Sequence, residues 1–226
     1  MGGSSVGAAR PASFSGTSGS LTFPGMSYRV AVCASGGGTN LQSLLDRLGK
    51  DGPAAIVLVV SDRADARALD RARRAGVAAE VLSRPNDPAE WIERLTRRDV
   101  DLVVLAGYLK LVPAPVVAAY AGRIINIHPA LLPRFGGRGM YGRRVHEAVL
   151  ASGDEESGAT VHLVDEEFDH GAVLAQVRVP VEPDDTPESL AQRVLEQEHR
   201  LLPAVVLAAA RAGHPVPLLE SLNPQT

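Results

Sequence analysis

Two polar residues interrupt an apolar run in Ile124-Ile125-Asn126-Ile127-His128-Pro129. Branched aliphatics mark a buried strand. Alternate side chains of a strand share a face, so the Asn126 amide and the His128 imidazole stand side by side, with Ile125 and Ile127 turned the other way. Pro129 disfavours the helical region for His128 and keeps the chain extended to that point. An amide can donate to a developing oxyanion, and an imidazole can move a proton near neutral pH. On the local pattern alone, a strand end with a satisfied histidine fits equally well.

The second constellation is Ser35-Gly36-Gly37-Gly38-Thr39-Asn40, between an apolar strand and an amphipathic helix. Glycines let a ligand approach the backbone, and the free N–H groups at the helix start favour an anion, typically phosphate. A dinucleotide fingerprint needs glycine where Leu41 stands, and a Walker loop needs a lysine that is absent. A small phosphate ester remains. Three glycines followed by a capping Thr39 exceed what a tight turn requires.

The third is the acidic loop Asp165-Glu166-Glu167-Phe168-Asp169-His170-Gly171. Such a loop is usually just solvated. His162, His170 and these carboxylates are metal-ligand types, but the spacing is not diagnostic and the oxygens crowd one turn. A carboxylate turned inward towards His128 would instead fix the imidazole and raise its pKa. The fourth, Gln197-Glu198-His199, reads from its residues alone as one face of a solvated helix.

The elements that must hold these residues alternate. Strands are expected at Tyr28–Ala34, Ala55–Val60, Ala79–Leu82, Leu102–Leu105 and Arg123–Ile127. Helices follow at Thr39 to about Lys50, Ala64–Ala75, Asp87–Arg98 and up to Tyr120. Strand–helix alternation means an α/β, doubly wound, mostly parallel sheet. Then come a glycine-rich loop, a helix from Gly142 to Leu150, and paired strands Ala159–Val164 and Val173–Val179. A last helix is capped by Thr186 with Pro187 at its first position, and a further apolar stretch follows Pro203. The loops after strands one, four and five gather at the carboxyl edge of the sheet, where such folds bind ligands.

The 226 residues are 45% apolar with formal charge −3 and pI about 6.1. That suffices for one good core. No basic block suggests a nucleic-acid partner, and no apolar run suggests a membrane span. The lone Cys33 excludes a disulfide framework and fits a cytoplasmic setting. The start lacks a secretory pattern. Residues 1–27, rich in Gly, Ser, Ala and Pro, are expected to be a disordered extension. Residues 28–222 are expected to form one domain, with the final dozen residues as tail.

The ordered set of motifs resembles the phosphoribosylglycinamide formyltransferase family (folate-dependent glycinamide ribonucleotide transformylases) from about Tyr28 to Leu222. It includes the glycine loop, Val103-Val104-Leu105-Ala106-Gly107-Tyr108, and Ile125 through Pro133. It also includes Gly158 through Asp165, Phe168-Asp169-His170-Gly171, and Gln197-Glu198-His199. The resemblance implies a Rossmann-like formyltransferase fold with C-terminal strands and a long C-terminal helix. The implied reaction passes the formyl group of 10-formyltetrahydrofolate, a co-substrate, to the amine of 5′-phosphoribosylglycinamide in purine synthesis, with no metal. It implies Asn126, His128 and Asp169 as the catalytic trio. Gly37, Gly38, Thr39 and Asn40 would hold the phosphate, Gly107 would lie near the glycinamide, and Glu198 would bind the ribose hydroxyls. Lys110, Leu111, Val112, Asn126, Val164, Asp165 and Asp169 would line the folate pocket. Lys110 departs from the family's arginine and loses its planar fork. In the implied chemistry His128 is protonated and Asp169 keeps it so. Partners would be small molecules, and a homodimer is compatible with the sequence.

Rival readings are a formyltetrahydrofolate hydrolase, which needs no phosphate loop, and methionyl-tRNA formyltransferase, which would be expected to carry a basic face and a further RNA-binding domain. A non-catalytic folate or nucleotide sensor and a nicotinamide dehydrogenase using Asp62 are more distant alternatives.

Overall fold

The computed structural model describes residues 27–49 and 52–218. Apart from Ser27, the expected N-terminal extension lies outside them, as does the end of the expected tail. The order of elements is β1 (Tyr28–Cys33), α1 (Thr39–Leu48), β2 (Ala54–Ser61), α2 (Arg67–Arg74), β3 (Ala78–Val81), α3 (Pro88–Thr96), β4 (Leu102–Leu105), α4 (Ala114–Ala119) and β5 (Ile124–His128). These are followed by α5 (Arg143–Ser152), β6 (Glu156–Leu163), β7 (Val173–Pro180) and α6 (Pro187–Ala212).

The strands form one sheet in the order β3-β2-β1-β4-β5-β6-β7. The pairings from β3 across to β5 are parallel, and β6 and β7 add antiparallel strands at the far edge. The chain winds from β1 outward through β2 and β3, then returns beside β1 as β4. The order therefore reverses between β1 and β4, and a crevice opens there at the carboxyl ends of the strands.

Alternation along each strand builds two cores, one on each face. Val30, Val32, Ile125 and Ile127 face α1, α2, α5 and α6, whose Leu41, Leu44, Leu69, Val149 and Leu202 are buried against them. Ala31, Cys33 and Ile124 face the other way, onto Trp91 and Leu95 of α3 and Val116 of α4. The apolar runs of β1 and β4 reflect this double covering. Ile124, Asn126 and His128 thus share a face, as the spacing requires.

Helix α6 is longer than the sequence suggests, because it runs through Pro203. An interior proline costs about 3 kcal/mol. Leu201, Leu202, Val205 and Val206 around it are all buried, and each buried side chain stabilises by about 1.5–3 kcal/mol. Packing therefore outweighs the break. Helix α2 begins later than expected, at Arg67, because a turn at residues 63–66 precedes it and the Ala68 N–H bonds to the Gly36 carbonyl instead. Among the described residues no helix is long and apolar enough to cross a membrane.

Strand β6 starts earlier than expected, and Gly158 explains why it packs so closely. A Cβ there would lie 2.1 Å from the Val177 carbonyl oxygen and 2.7 Å from Leu131 Cδ2. Gly158→Ala is expected to lower unfolding free energy by about 1–3 kcal/mol, read as a lower urea midpoint with unchanged m-value.

Candidate active site

A cavity of about 940 Å³ occupies the crevice at the carboxyl edge. The glycine loop closes one end, the loops after β4 and β5 form the walls, and α6 contributes Val194, Leu195 and Glu198.

At the centre is Asp169, whose side chain is only 9% exposed. Its Oδ1 lies 3.2 Å from Asn126 Nδ2, 3.5 Å from His128 Nδ1 and 3.6 Å from His162 Nε2. Its Oδ2 accepts from the Gly137 N–H at 3.0 Å. Asp169 is separated from Asn126 by more than forty positions, and two local features bring it in. Its φ of 56° turns the loop sharply inward, a conformation Asp tolerates better than most residues. Gly136 lets the facing loop approach, since a Cβ there would meet Leu132 Cδ2 at 2.5 Å and Asp169 Cβ at 3.0 Å.

The protonation pattern follows from what each partner can do. His128 Nε2 lies 2.8 Å from the Phe135 carbonyl oxygen, which can only accept, so Nε2 carries hydrogen. Nδ1 is then the nitrogen that titrates, facing Asp169. Phe135 holds its carbonyl there from a left-handed backbone at φ 56°, a conformation costly for a bulky residue. His162 likewise donates from Nδ1 to the Leu163 carbonyl at 2.7 Å, leaving Nε2 to accept from Asn126 Nδ2 at 3.0 Å. Asn126 and His162 are directly opposite in the β5–β6 pairing, and the β6 irregularity after Val161 falls at His162. Both N–H bonds of the Asn126 amide are therefore held, one by His162 and one by Asp169.

Burial pushes His128 below the usual imidazole range; Asp169 and the Phe135 carbonyl act the other way without overcoming it. The balance lies towards the neutral imidazole, whereas the sequence suggested that Asp169 keeps His128 protonated. Burial would raise the Asp169 carboxyl, but the polar groups it faces, the Gly137 N–H among them, outweigh it and hold Asp169 below the usual carboxylate range. Asp169 is ionised at neutral pH.

At the other end, α1 is capped by Gly38 in the left-handed conformation at φ 69°, with no side-chain cap. Thr39 is thus the first helical residue and not the cap expected from the sequence, and the first-turn N–H groups stay open to an anion. Gly38 packs on α2, where a Cβ would meet Ala68 Cα at 2.8 Å. Asn40 donates from Nδ2 to Glu198 Oε2 at 2.9 Å. Glu198, expected on a solvated face from its residues alone, is 6% exposed. Burial pushes its carboxyl up to about 7, with the Asn40 amide acting against that.

The remaining expected residues divide. Gly37, Gly107, Lys110, Leu111, Val112 and Val164 line the cavity. Lys110 is half exposed and lies 3.5 Å from Asp62 Oδ2. Asp62 also accepts from the Ser35 hydroxyl at 2.6 Å, so it is already engaged and is a poor candidate to hold a nucleotide ribose. Asp165 does not reach the cavity: its carboxylate accepts from the Glu167 N–H and pairs with the exposed His170 at 2.7 Å. The sequence reading named His162 only as a metal-ligand type and gave Phe135 and Gly137 no role; all three make contacts that orient the trio. It also left His146 without a role. This residue is 4% exposed, lines the cavity, and its Nδ1 has no partner among the described residues.

Residues 28–206 match the family model described as "Formyl transferase". The chain is 46% identical over 187 residues to "Phosphoribosylglycinamide formyltransferase, chloroplastic" of Arabidopsis thaliana, covering 79% of this chain and 64% of that protein. It is 40% identical to the phosphoribosylglycinamide formyltransferase of Haemophilus influenzae, covering 79% of this chain and 85% of that one. The chain thus spans 64% and 60% of the length of two plant relatives it matches, and most of the bacterial one. Among solved structures, glycinamide ribonucleotide transformylase 1 from Symbiobacterium toebii superposes with a TM-score of 0.76 at 41% identity, covering 87% of this chain and 94% of that one.

Proposed function

The chain belongs to the formyl transferase family, and on that premise we propose that it transfers the formyl group of 10-formyltetrahydrofolate to the amine of 5′-phosphoribosylglycinamide. The observation that carries the reading is one cavity with Asn126, His128 and Asp169 converging at one end and an uncapped glycine-loop helix start with Glu198 at the other. We take residues 28–222 as the working domain.

In the proposed reaction the neutral glycinamide amine attacks the formyl carbon, forming a C–N bond and a tetrahedral oxyanion. The amine proton passes to His128 Nδ1, directly or through water. Asp169, 3.5 Å away, stabilises the imidazolium as it forms. The Asn126 amide exchanges its longer contact, to Asp169, for the oxyanion, while the His162 contact keeps it oriented; such a donor contributes about 3 kcal/mol. The bond from the formyl carbon to the folate nitrogen then breaks, and that nitrogen takes the proton from His128. The acceptor's phosphate sits on the glycine loop, and the Glu198 carboxylate accepts from the ribose hydroxyls. Lys110, Leu111, Val112 and Val164 form the folate wall.

The test is to incubate the protein with 10-formyltetrahydrofolate, with and without glycinamide ribonucleotide, and to measure tetrahydrofolate, formylated acceptor and formate. Acceptor-dependent formation of tetrahydrofolate and formylated acceptor in equal amounts is expected. Formate release without acceptor would assign the protein to the hydrolases, and binding of both ligands without turnover would make it a sensor.

A further inference from the structure

Helix α2 supplies the underside of the glycine loop, and it holds that loop by two successive carbonyls. The Ala68 N–H donates to the Gly36 carbonyl at 3.1 Å. Arg71 Nε donates to the Gly37 carbonyl at 2.8 Å, while its Nη1 donates to Gln42 Oε1 of α1 at 2.9 Å. A trans peptide sets its C=O and the following N–H in opposite directions. With the Gly36 and Gly37 carbonyls drawn towards α2, the Gly37 and Gly38 N–H groups point away from it. Among the described residues neither N–H has a hydrogen-bond partner, and both glycines line the cavity. Successive N–H groups turned to one side form an anion cradle.

We infer that Arg71 is a positioning residue for the acceptor's phosphate: it sets the Gly37–Gly38 peptide so that its N–H faces the phosphate, and it adds a positive charge behind the loop. Arg71 does not touch the substrate. It joins α2, the loop and α1 through donors on two separate nitrogens of one planar group, a geometry a single ammonium cannot reproduce. The inference rests on the reading that the glycine loop takes the phosphate.

The test compares wild type, Arg71→Met, Arg71→Lys and Arg74→Met. Arg74 is exposed on the same helix, so its loss removes equal charge without the clip. The measurements are kcat and KM for glycinamide ribonucleotide and for its unphosphorylated riboside, and inhibition by inorganic phosphate. Arg71→Met is expected to raise the ribonucleotide KM roughly 10- to 30-fold, with a much smaller change in kcat, and to weaken phosphate inhibition in parallel. The riboside KM should move less than threefold. Arg71→Lys should recover only part of the loss, and Arg74→Met should behave as wild type. Equal losses with both acceptors would mean that Arg71 serves the fold at large, and an unchanged ribonucleotide KM would make the clip incidental; either overturns the inference. If wild type itself neither prefers the phosphorylated acceptor nor is inhibited by phosphate, the phosphate reading of the loop fails first.

Discussion

Asp169→Asn is expected to lower kcat roughly a thousandfold while leaving the ribonucleotide KM within about threefold, because in the proposed reaction its contribution appears as charge develops. The replacement keeps the shape, and its amide oxygen can still accept from the Gly137 N–H now held at 3.0 Å. The charge is lost. His128 is already pushed down by burial, and Asp169 is the larger of the influences raising it. Without that carboxylate the imidazolium has no counter-charge at the moment it forms. His128→Ala should cost a similar factor, because it removes the proton carrier itself. The double variant should be scarcely slower than either single one, since the two groups act as a unit. Steady-state kinetics on the three variants check this. Comparable losses in kcat and in ribonucleotide affinity would contradict the assigned roles.

The second large effect concerns Glu198. Glu198→Ala is expected to raise the ribonucleotide KM roughly a hundredfold, because two hydrogen bonds to a charged acceptor are lost at about 1.5–3 kcal/mol each. Burial pushes the carboxyl up to about 7, and only the carboxylate can accept from both ribose hydroxyls. Ribonucleotide affinity should therefore fall as pH drops below about 7, and Glu198→Gln should flatten that dependence. Stability moves the opposite way. The native state keeps a proton that the unfolded chain, with an ordinary carboxyl at 4.5, releases between about 4.5 and 7. Stability from this group therefore decreases as pH rises through that window. Glu198→Gln should raise the thermal midpoint relative to wild type at pH 8 and change it little at pH 4.5. A pH-independent KM in wild type would remove Glu198 from the ribose.

Much of this was legible in the chain because it is local. The spacing of Asn126 and His128, the proline that follows, and the glycine loop before an amphipathic helix are short-range patterns with direct geometric consequences. Strand–helix alternation was enough to bring the loops after β1, β4 and β5 to one edge. What was not legible depends on pairing at long range. Spacing alone could not say which carboxylate of the acidic loop turns inward. Asp169 does so through its backbone conformation and Gly136, whereas Asp165 is held by His170. His162 became relevant only because the β5–β6 register sets it opposite Asn126. The downward push on the His128 imidazole follows from burial, a property of the whole fold. Glu198 looked like part of a solvated face because the packing of α6 against α1, which buries it, is not encoded within its own triplet.

On the proposed mechanism Asp169 and His128 act in the chemical step and not in assembling the complex. The most direct measurement is a rapid-quench single turnover with labelled formyl donor, wild type against Asp169→Asn, at saturating concentrations of both substrates. The variant is expected still to bind both substrates but to form formylated acceptor roughly a thousandfold more slowly in its first turnover. A first turnover as fast as that of wild type would contradict it.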